Sequence, residues 1–136
     1  MREIKYRLRS PIDKIVGYEK WYPGSMDSKN FYIAQPCWLY SKDGEFWNPE
    51  KIDHRLKDAF TGLKDKNGKE IFEGDIVGDE GGGQFEIVFQ FCAWHFKPTK
   101  KSAYISYPTA YSNAKYYKII GNIYESPELL GKGGVE

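Results

Sequence analysis

The sequence predicts a mainly β fold, and three observations carry that prediction. Asn67-Gly68 is the strongest hairpin signal in the chain and predicts a type I′ turn between Leu63 and Phe72. Aromatic residues make up 17% of the chain, which suits half-buried strand surfaces. Several segments alternate apolar and polar side chains with the period of two that strands show. Together these features predict a small SH3-like barrel or a sandwich of short antiparallel strands, with extra hairpins and one or two short helical turns.

The first half of the chain contains three strand signals. Apolar and basic side chains alternate over residues 4–9, as expected for a half-buried first strand whose apolar side chains face inward. Residues 31–33 and 37–40 are apolar runs separated by Pro36, which favours an edge strand or a bulge. Residues 41–47 predict a turn followed by a second hairpin partner.

The second half continues the same pattern. Glu73-Gly74-Asp75 predicts a bend into a strand at Ile76-Val77. Aromatic and aliphatic residues alternate over residues 85–91, although Val88 interrupts the polar side, so both faces of this strand are expected to be covered. Residues 116–124 predict the last strand.

Helical signals are few. Asn48-Pro49-Glu50 has the order of an N-cap, a first-turn proline and an acid, which predicts a short helix through Lys57. An extended segment is the open alternative, because Ile52 and Leu56 are the only aliphatic anchors there. Residues 126–130 start in the same way and predict a single helical turn closed by Gly131.

Composition indicates an ordinary globular chain. With 136 residues, 40% of them hydrophobic and 29% charged, we predict one domain over residues 1–130 and a flexible tail over residues 131–136. Two cysteines are too few for a disulfide scaffold. The start of the chain lacks a signal peptide, and no apolar run reaches membrane-spanning length, so a cytoplasmic location is expected.

Charge is distributed unevenly along the chain. Residues 1–60 carry eleven Lys or Arg against nine Asp or Glu, residues 61–96 carry three against seven, and residues 97–136 carry six against three. An acidic centre and a basic end allow complementary surfaces between subunits or toward a partner. The alternative is that both are ordinary solvated faces.

Residues 61–77 resemble the signature of the YopX family, which runs Thr-Gly-Leu-x-Asp-x-x-Gly-x-x-Ile-aromatic-Glu-Gly-Asp-Ile/Val. Residues 1–7 and 121–130 resemble the opening and the ending of the same family, whereas residues 8–10 and 91–117 depart from its pattern. The family consists of small proteins found largely in bacteriophages and prophages, without an assigned activity. The resemblance therefore implies a phage- or prophage-encoded accessory protein in a bacterial host cell, and it supplies no functional residues.

The sequence gives only weak indications of a zinc site or of a nucleophilic cysteine. Cys92 and His95 lie three positions apart, and Cys37 and His54 would complete a zinc set. Structural zinc sites normally use two closely spaced ligand pairs, and only one such pair is present. We therefore expect a buried Cys92 and a partly exposed His95, with no zinc and no nucleophilic Cys-His pair.

A group of acids in the centre of the chain is a second candidate for a metal site. Its members are Asp65, Glu70, Glu73 and Asp75. Converging carboxylates bind divalent cations for phosphoryl hydrolysis, so a metal-dependent hydrolase using Asp65, Glu73 and Asp75 is one alternative. These acids lie in predicted turns, where Asp is favoured for backbone reasons alone, and the structural interpretation is preferred. Residues 81–83 are interpreted as a flexible hairpin tip, because no helix or Lys-Ser/Thr follows, as a phosphate loop requires.

The basic, tyrosine-rich segment over residues 97–118 is the most suggestive functional feature. Its candidate contact residues are Lys97, Lys100, Lys101, Tyr104, Tyr107 and Lys115. Lysines interleaved with aromatic rings are typical of proteins that bind single-stranded nucleic acid. The same residues also suit contact with another subunit or protein, or an inert long loop.

The motifs contain no recognisable catalytic constellation, so we expect a non-enzymatic protein without a cofactor. The leading hypothesis is a binding or self-associating β-domain whose partner is a second copy or another phage or host protein. The alternative is a single-stranded nucleic-acid-binding module that uses the segment over residues 97–118.

Overall fold

The computed structural model describes residues 3–102 and 108–131. The chain divides into two compact units, Met1–Ala59 and Phe60–Glu136. The single domain predicted over residues 1–130 stays a prediction. The predicted flexible tail lies, apart from Gly131, outside the described residues. Within the described residues, none of the helices has the length and apolar character needed to cross a membrane.

The first unit is an antiparallel sheet with a hairpin at one end. Its strands are β1 (Lys5–Arg9), β2 (Ile15–Tyr22), β3 (Ser25–Met26), β4 (Tyr32–Ala34), β5 (Cys37–Ser41) and the start of β6 (Leu56–Lys64). The main sheet has the order β5-β2-β1-β6, and β3 pairs with β4. Because β2 continues into β3 and β4 into β5, the small hairpin prolongs the β2–β5 ribbon. The prediction of an edge strand next to Pro36 is confirmed by the position of β5.

The second unit contains the end of β6 and a four-stranded antiparallel sheet. Its remaining elements are β7 (Glu70–Phe72), β8 (Asp75–Gly78), β9 (Gln84–Gln90), β10 (Ala93–Pro98), helix α1 (Ala110–Asn113), a 3₁₀ turn (Ala114–Tyr116), β11 (Lys118–Asn122) and a second 3₁₀ turn (Pro127–Leu130). The sheet has the order β10-β9-β8-β11, and β7 pairs with β6. The mainly β prediction is confirmed. The sheets do not close into a barrel, so the barrel alternative is wrong.

Four of the hairpin turns share one construction. In each, the N–H of the first residue donates to the carbonyl of the fifth over 2.8–3.0 Å. The side chain of the first residue also accepts the N–H of the fifth. The fourth residue has a positive φ, which Gly, Asn and Asp tolerate best. The four turns are residues 10–14, 27–31, 65–69 and 79–83.

The hairpin predicted at Asn67-Gly68 is confirmed, but its turn type is wrong. Only Gly68 has a positive φ in this turn, at 82°, whereas a type I′ turn requires positive φ at both central residues. The reason is Asp65, whose carboxylate accepts the N–H groups of Asn67 and Lys69 and holds Asn67 out of the left-handed region. The two consecutive positive φ angles occur instead at Phe91 and Cys92, between β9 and β10.

The core of the second unit forms where its four-stranded sheet meets the helical segment. Its buried members are Ile71, Val77, Phe85, Ile87, Phe96, Ala110 and Ala114. The ring of Phe96 lies 5.5 Å from that of Phe85 and 5.1 Å from that of Tyr117. The predicted alternation over residues 85–91 is thus correct for its first two apolar positions. It fails at Phe89 and Phe91, which are exposed at the far end of the strand.

The first strand is present and its apolar residue Leu8 is fully buried, but the basic face, predicted to be exposed, is buried as well. Ile4 is half exposed, whereas Arg7 and Arg9 are buried. Both guanidinium groups contact the buried carboxylate of Asp58 on β6, at 3.2 and 3.1 Å. The strand register places Arg7 opposite Asp58. Pairing with this carboxylate, which comes from a distant part of the sequence, offsets the energetic cost of burying the two arginine charges.

Three further elements differ from what the sequence predicts: the helix after Asn48, the hairpin over residues 41–47 and the start of the last strand. Residues 49–55 are not helical, so the extended alternative is correct there, and the side chain of Asn48 accepts the N–H of Glu50 in a local turn instead. The hairpin predicted over residues 41–47 reduces to a turn and one antiparallel bridge between Tyr40 and Asn48. The last strand begins at Lys118, because the preceding residues form a 3₁₀ turn. The helical turn closed by Gly131 is confirmed.

Candidate functional site

The hairpin formed by β3 and β4 exposes a cluster of large apolar side chains, here named the tip surface. Its members are Met26, Phe31, Tyr32 and Ile33 on the hairpin, with Trp21 and Trp38 on the adjoining ribbon. Phe31 and Ile33 are 69% and 73% exposed, which is unusual for large side chains placed side by side. The sequence identified residues 31–33 as an apolar strand but offered no indication that they are exposed.

Local sequence determines the shape of this hairpin. The carboxylate of Asp27 accepts the N–H groups of Lys29 and Phe31 at 2.8 and 3.0 Å. Asn30 takes the left-handed conformation with φ 68°. At the base of the hairpin, Gly24 has φ 82°, and a Cβ there would lie 2.6 Å from the carbonyl oxygen of Ala34. The turn at the tip is therefore specified by hydrogen bonds and backbone conformations of its own residues.

The tryptophans beside the tip are fixed by pairing across the sheet. Trp21 lies opposite Trp38 in the β2–β5 register, with ring centroids 5.3 Å apart in an edge-to-face arrangement. The ammonium of Lys57 lies 5.4 Å from the Trp38 ring and 4.4 Å from the Tyr6 ring, within cation–π range. This arrangement holds the Trp38 ring in a defined position at the surface.

A buried carboxylate organises the polar part of the same sheet face. Glu19 is buried and accepts a 2.5 Å hydrogen bond from the ammonium of Lys57. Burial, the negative charge of Glu19 and a hydrogen bond to Glu19 all raise the pKa of the Tyr40 hydroxyl. Tyr40 therefore remains a neutral hydrogen-bond donor, and these groups hold one another in place.

The candidate lysines of the basic segment all lie in the described residues, and all of them are exposed. Lys97 lies on β10 opposite Glu86 of β9. Lys100 and Lys101 are exposed in the turn after β10, beside Gly131. Lys115 is exposed in the 3₁₀ turn. The two predicted contact residues Tyr104 and Tyr107 lie outside the described residues.

Two aromatic residues near Lys115 were not singled out from the sequence. Tyr111 and Tyr116 are largely exposed, and the ammonium of Lys115 lies 5.3 Å from the Tyr116 ring. Both residues belong to a helical segment, α1 and the 3₁₀ turn, where the sequence predicts a long loop. The signal that points to them is the recurrence of tyrosine among small and polar residues over residues 110–117.

Two of the central acids, Asp65 and Asp75, accept hydrogen bonds from backbone N–H groups. The second carboxylate oxygen of Asp65 accepts the N–H of Ile119 at 3.0 Å, in addition to its bonds within the turn. Asp75 is buried and accepts the N–H of Phe72 at 2.8 Å, which bends the chain between β7 and β8. Glu73, between them in sequence, is exposed. In residues 3–102 and 108–131, no group of three or more His, Cys, Asp or Glu side chains is arranged to hold a metal ion.

The cysteines and histidines have separate surroundings. The expectation of a buried Cys92 is wrong, because this residue occupies the tight turn between β9 and β10 and is exposed. His95 contacts the carbonyl of Ala93 at 3.2 Å and packs edge to face on the Phe91 ring. In the first unit, His54 contacts the carbonyl of Ile52 at 2.8 Å.

An open cleft of about 520 Å³ lies beside the turn that follows β5. Ser41 and Asp43 line it, but the Ser41 hydroxyl donates to the Asp43 carboxylate at 2.9 Å without an intervening imidazole. Hydrogen bonds from the N–H groups of Glu45 and Phe46 and from Ser41 lower the pKa of Asp43. A carboxylate stabilised in its charged form is a weak base, so this pair shapes the turn and does not activate the serine.

The fold defines the class of protein: a mainly β protein whose strands all pair antiparallel and which exposes several aromatic side chains. The chain belongs to the YopX family, because the family model described as YopX protein matches residues 18–131. The match includes residues 61–77, in which Asp65, Gly68 and Asp75 build the two turns described above. No curated protein matches the chain.

Proposed function

We propose that this protein is a phage- or prophage-encoded accessory protein that acts in the host cytoplasm by binding another protein chain through its tip surface. The observation that supports this proposal is the exposure of several large apolar side chains on and beside the β3–β4 hairpin. Contiguous exposed apolar patches of several hundred Å² are uncommon on monomeric proteins and mark interaction sites.

A protein is the partner class that fits this surface best. The tip surface consists of side chains that are exposed on a hairpin, whereas small molecules bind in concave pockets that enclose most of their area. Aromatic rings and methionine are the side chains most enriched at the centres of protein interfaces. The chain also contributes the strand edge of β4, which a second polypeptide can extend.

Site-specific photo-crosslinking tests this proposal. With benzoylphenylalanine in place of Phe31, expression in a bacterial host is expected to give a discrete covalent product with one protein, which mass spectrometry identifies. The control carries the same substitution at Phe46, which is 78% exposed in the same unit but lies outside the tip. If position 31 gives no product beyond that of position 46, the proposal is wrong.

A second candidate function is binding of single-stranded nucleic acid by the segment over residues 97–118. The observation that favours it is the placement of exposed Tyr116 beside Lys115, with exposed Tyr111 in the same helical segment, since bases stack on such rings while lysines attract the phosphates. Lys97 contributes less, because Glu86 lies opposite it.

Fluorescence anisotropy with a labelled oligothymidine tests this candidate. Replacing Lys97, Lys100 and Lys101 with glutamine is expected to weaken binding. The slope of the logarithm of the binding constant against the logarithm of the salt concentration is expected to become less negative by about 0.7 for each phosphate contact that is lost. The matched control neutralises three exposed lysines of the first unit, Lys14, Lys42 and Lys51. Absence of binding by the wild-type protein at low salt would end this candidate.

A further inference from the structure

We infer that the partner of the tip surface is a second copy of this chain, and that two tips pair along their β4 strands about a two-fold axis near Tyr32. The inference rests on the proposed function and names its partner.

The edge of β4 lacks two of the usual protections against pairing, charged side chains and proline. Natural edge strands are blunted by charged side chains or proline. Residues 31–35 are Phe-Tyr-Ile-Ala-Gln, an uncharged run of high β propensity, and proline appears only at position 36. The opposite edge, β3, lies between Pro23-Gly24 and Asp27 and is less suited to pairing. Within the described chain, β4 pairs with β3 alone.

The hydrogen-bond pattern places Tyr32 at the centre of the new pairing. The N–H of Asp27 donates to the carbonyl of Phe31, which directs the polar groups of Phe31 toward β3. Alternation along an antiparallel strand then directs the N–H and C=O of Tyr32 away from β3. A two-fold axis at Tyr32 lets each copy donate to the other. It also sets Phe31 of one copy opposite Ile33 of the second, an aromatic and β-branched pair.

The exposed side chains explain why an added strand fits better than a flat partner. Phe31 and Tyr32 are consecutive and therefore lie on opposite faces of the hairpin, and both are exposed. A flat surface would cover only one of these faces, whereas edge pairing extends both. The register shift between Ser25 and Met26 keeps the regular ladder short, so the side chains supply most of the contact.

Charge and area are compatible with a second copy. The turn at the tip carries one acid, Asp27, and one base, Lys29, so two copies bring no excess of like charge together. The exposed parts of the six tip-surface side chains amount to on the order of 600 Å². A standard interface buries about 800 Å² on each partner, so the tip surface would supply the larger part of that area only if all six side chains became buried.

A charge-exchange experiment tests the inference. Ile33→Lys and Ile33→Glu are each expected to weaken dimerisation about 100-fold or more, because each places a charge against the ring of Phe31 in the second copy and sets two like charges diagonally across the axis. An equimolar mixture of the two variants is expected to recover a heterodimer. The control is Ile12→Lys, which places a lysine at an equally exposed isoleucine of the same unit, 79% exposed, away from the tip. Sedimentation velocity measures association, and circular dichroism verifies folding.

A cysteine test locates the axis. In a Cys37→Ser and Cys92→Ser background, Tyr32→Cys is expected to form a disulfide-linked dimer under mild oxidation, whereas Ile12→Cys is not. A wild-type protein that sediments as a monomer at tens of micromolar would overturn the second-copy inference, as would a dimer that survives Ile33→Lys. If crosslinking from position 31 then identifies a different protein, the proposed function stands while this inference fails.

Discussion

Replacing Asp58 with alanine is expected to lower the free energy of unfolding by about 3–5 kcal/mol. Asp58 is 2% exposed, and its carboxylate contacts the guanidinium groups of Arg7 at 3.2 Å and of Arg9 at 3.1 Å. The variant leaves both cations buried without this carboxylate. Unlike an exposed ion pair, a buried one cannot replace the missing charge with water, so the loss is large.

Urea unfolding followed by tryptophan fluorescence measures this effect, because Trp21, Trp38 and Trp47 all lie in the first unit. The matched control is Asp53→Ala, which removes an exposed carboxylate from the same segment and is expected to change stability by about 0.5 kcal/mol or less. Asp58→Asn keeps the shape without the charge and is expected to be destabilising as well. A loss below about 1 kcal/mol for Asp58→Ala would contradict the structural role assigned to this charge cluster.

Replacing Phe96 with alanine is expected to cost about 3–5 kcal/mol in the second unit. Phe96 is fully buried on β10 and packs against Phe85 on the neighbouring strand and Tyr117 after the helical segment. Alanine leaves a cavity where these elements meet. Because Phe85 and Tyr117 belong to separate segments of the chain, the cavity cannot close without moving one of them.

Trp94 is the only tryptophan of the second unit, and it lies two residues from Phe96. A variant that retains only this tryptophan reports the unfolding of this unit in urea. Phe91→Ala is the control, since Phe91 is 84% exposed on an adjoining turn, and its replacement is expected to cost less than about 1 kcal/mol. Equal losses for Phe91→Ala and Phe96→Ala would show that the packing described for the core does not govern stability.

The turns illustrate how far local sequence predicts this fold. Asp65 and Gly68 lie at fixed positions of one hairpin turn, and the same pattern of an acid followed three residues later by a residue that tolerates positive φ occurs at Asp27 and Asp79. Such turns are predictable because the hydrogen bonds that close them lie within five residues. The type I′ assignment failed because the Asp65 side chain, and not the Asn-Gly pair alone, selects the turn.

The candidate site was only partly predictable. Residues 31–33 have the pattern of an apolar strand, and Pro36 correctly indicated an edge. The pattern did not indicate that Phe31 and Ile33 are exposed, because exposure depends on which other segments pack over a strand. The lysines of the basic segment were found by composition, whereas Tyr111 and Tyr116 were missed because a short helical segment presents them.

The sequence by itself determined the β class, the positions of most reversals and the family, since each of these is specified by neighbouring residues. Tertiary structure alone decided which faces are buried. On β1, Arg7 and Arg9 are buried as well as Leu8, so both faces of a strand that the pattern predicts to be half-buried are covered. The physical reason is that Asp58 lies 49 and 51 residues away from these arginines, and only strand pairing brings its charge to them.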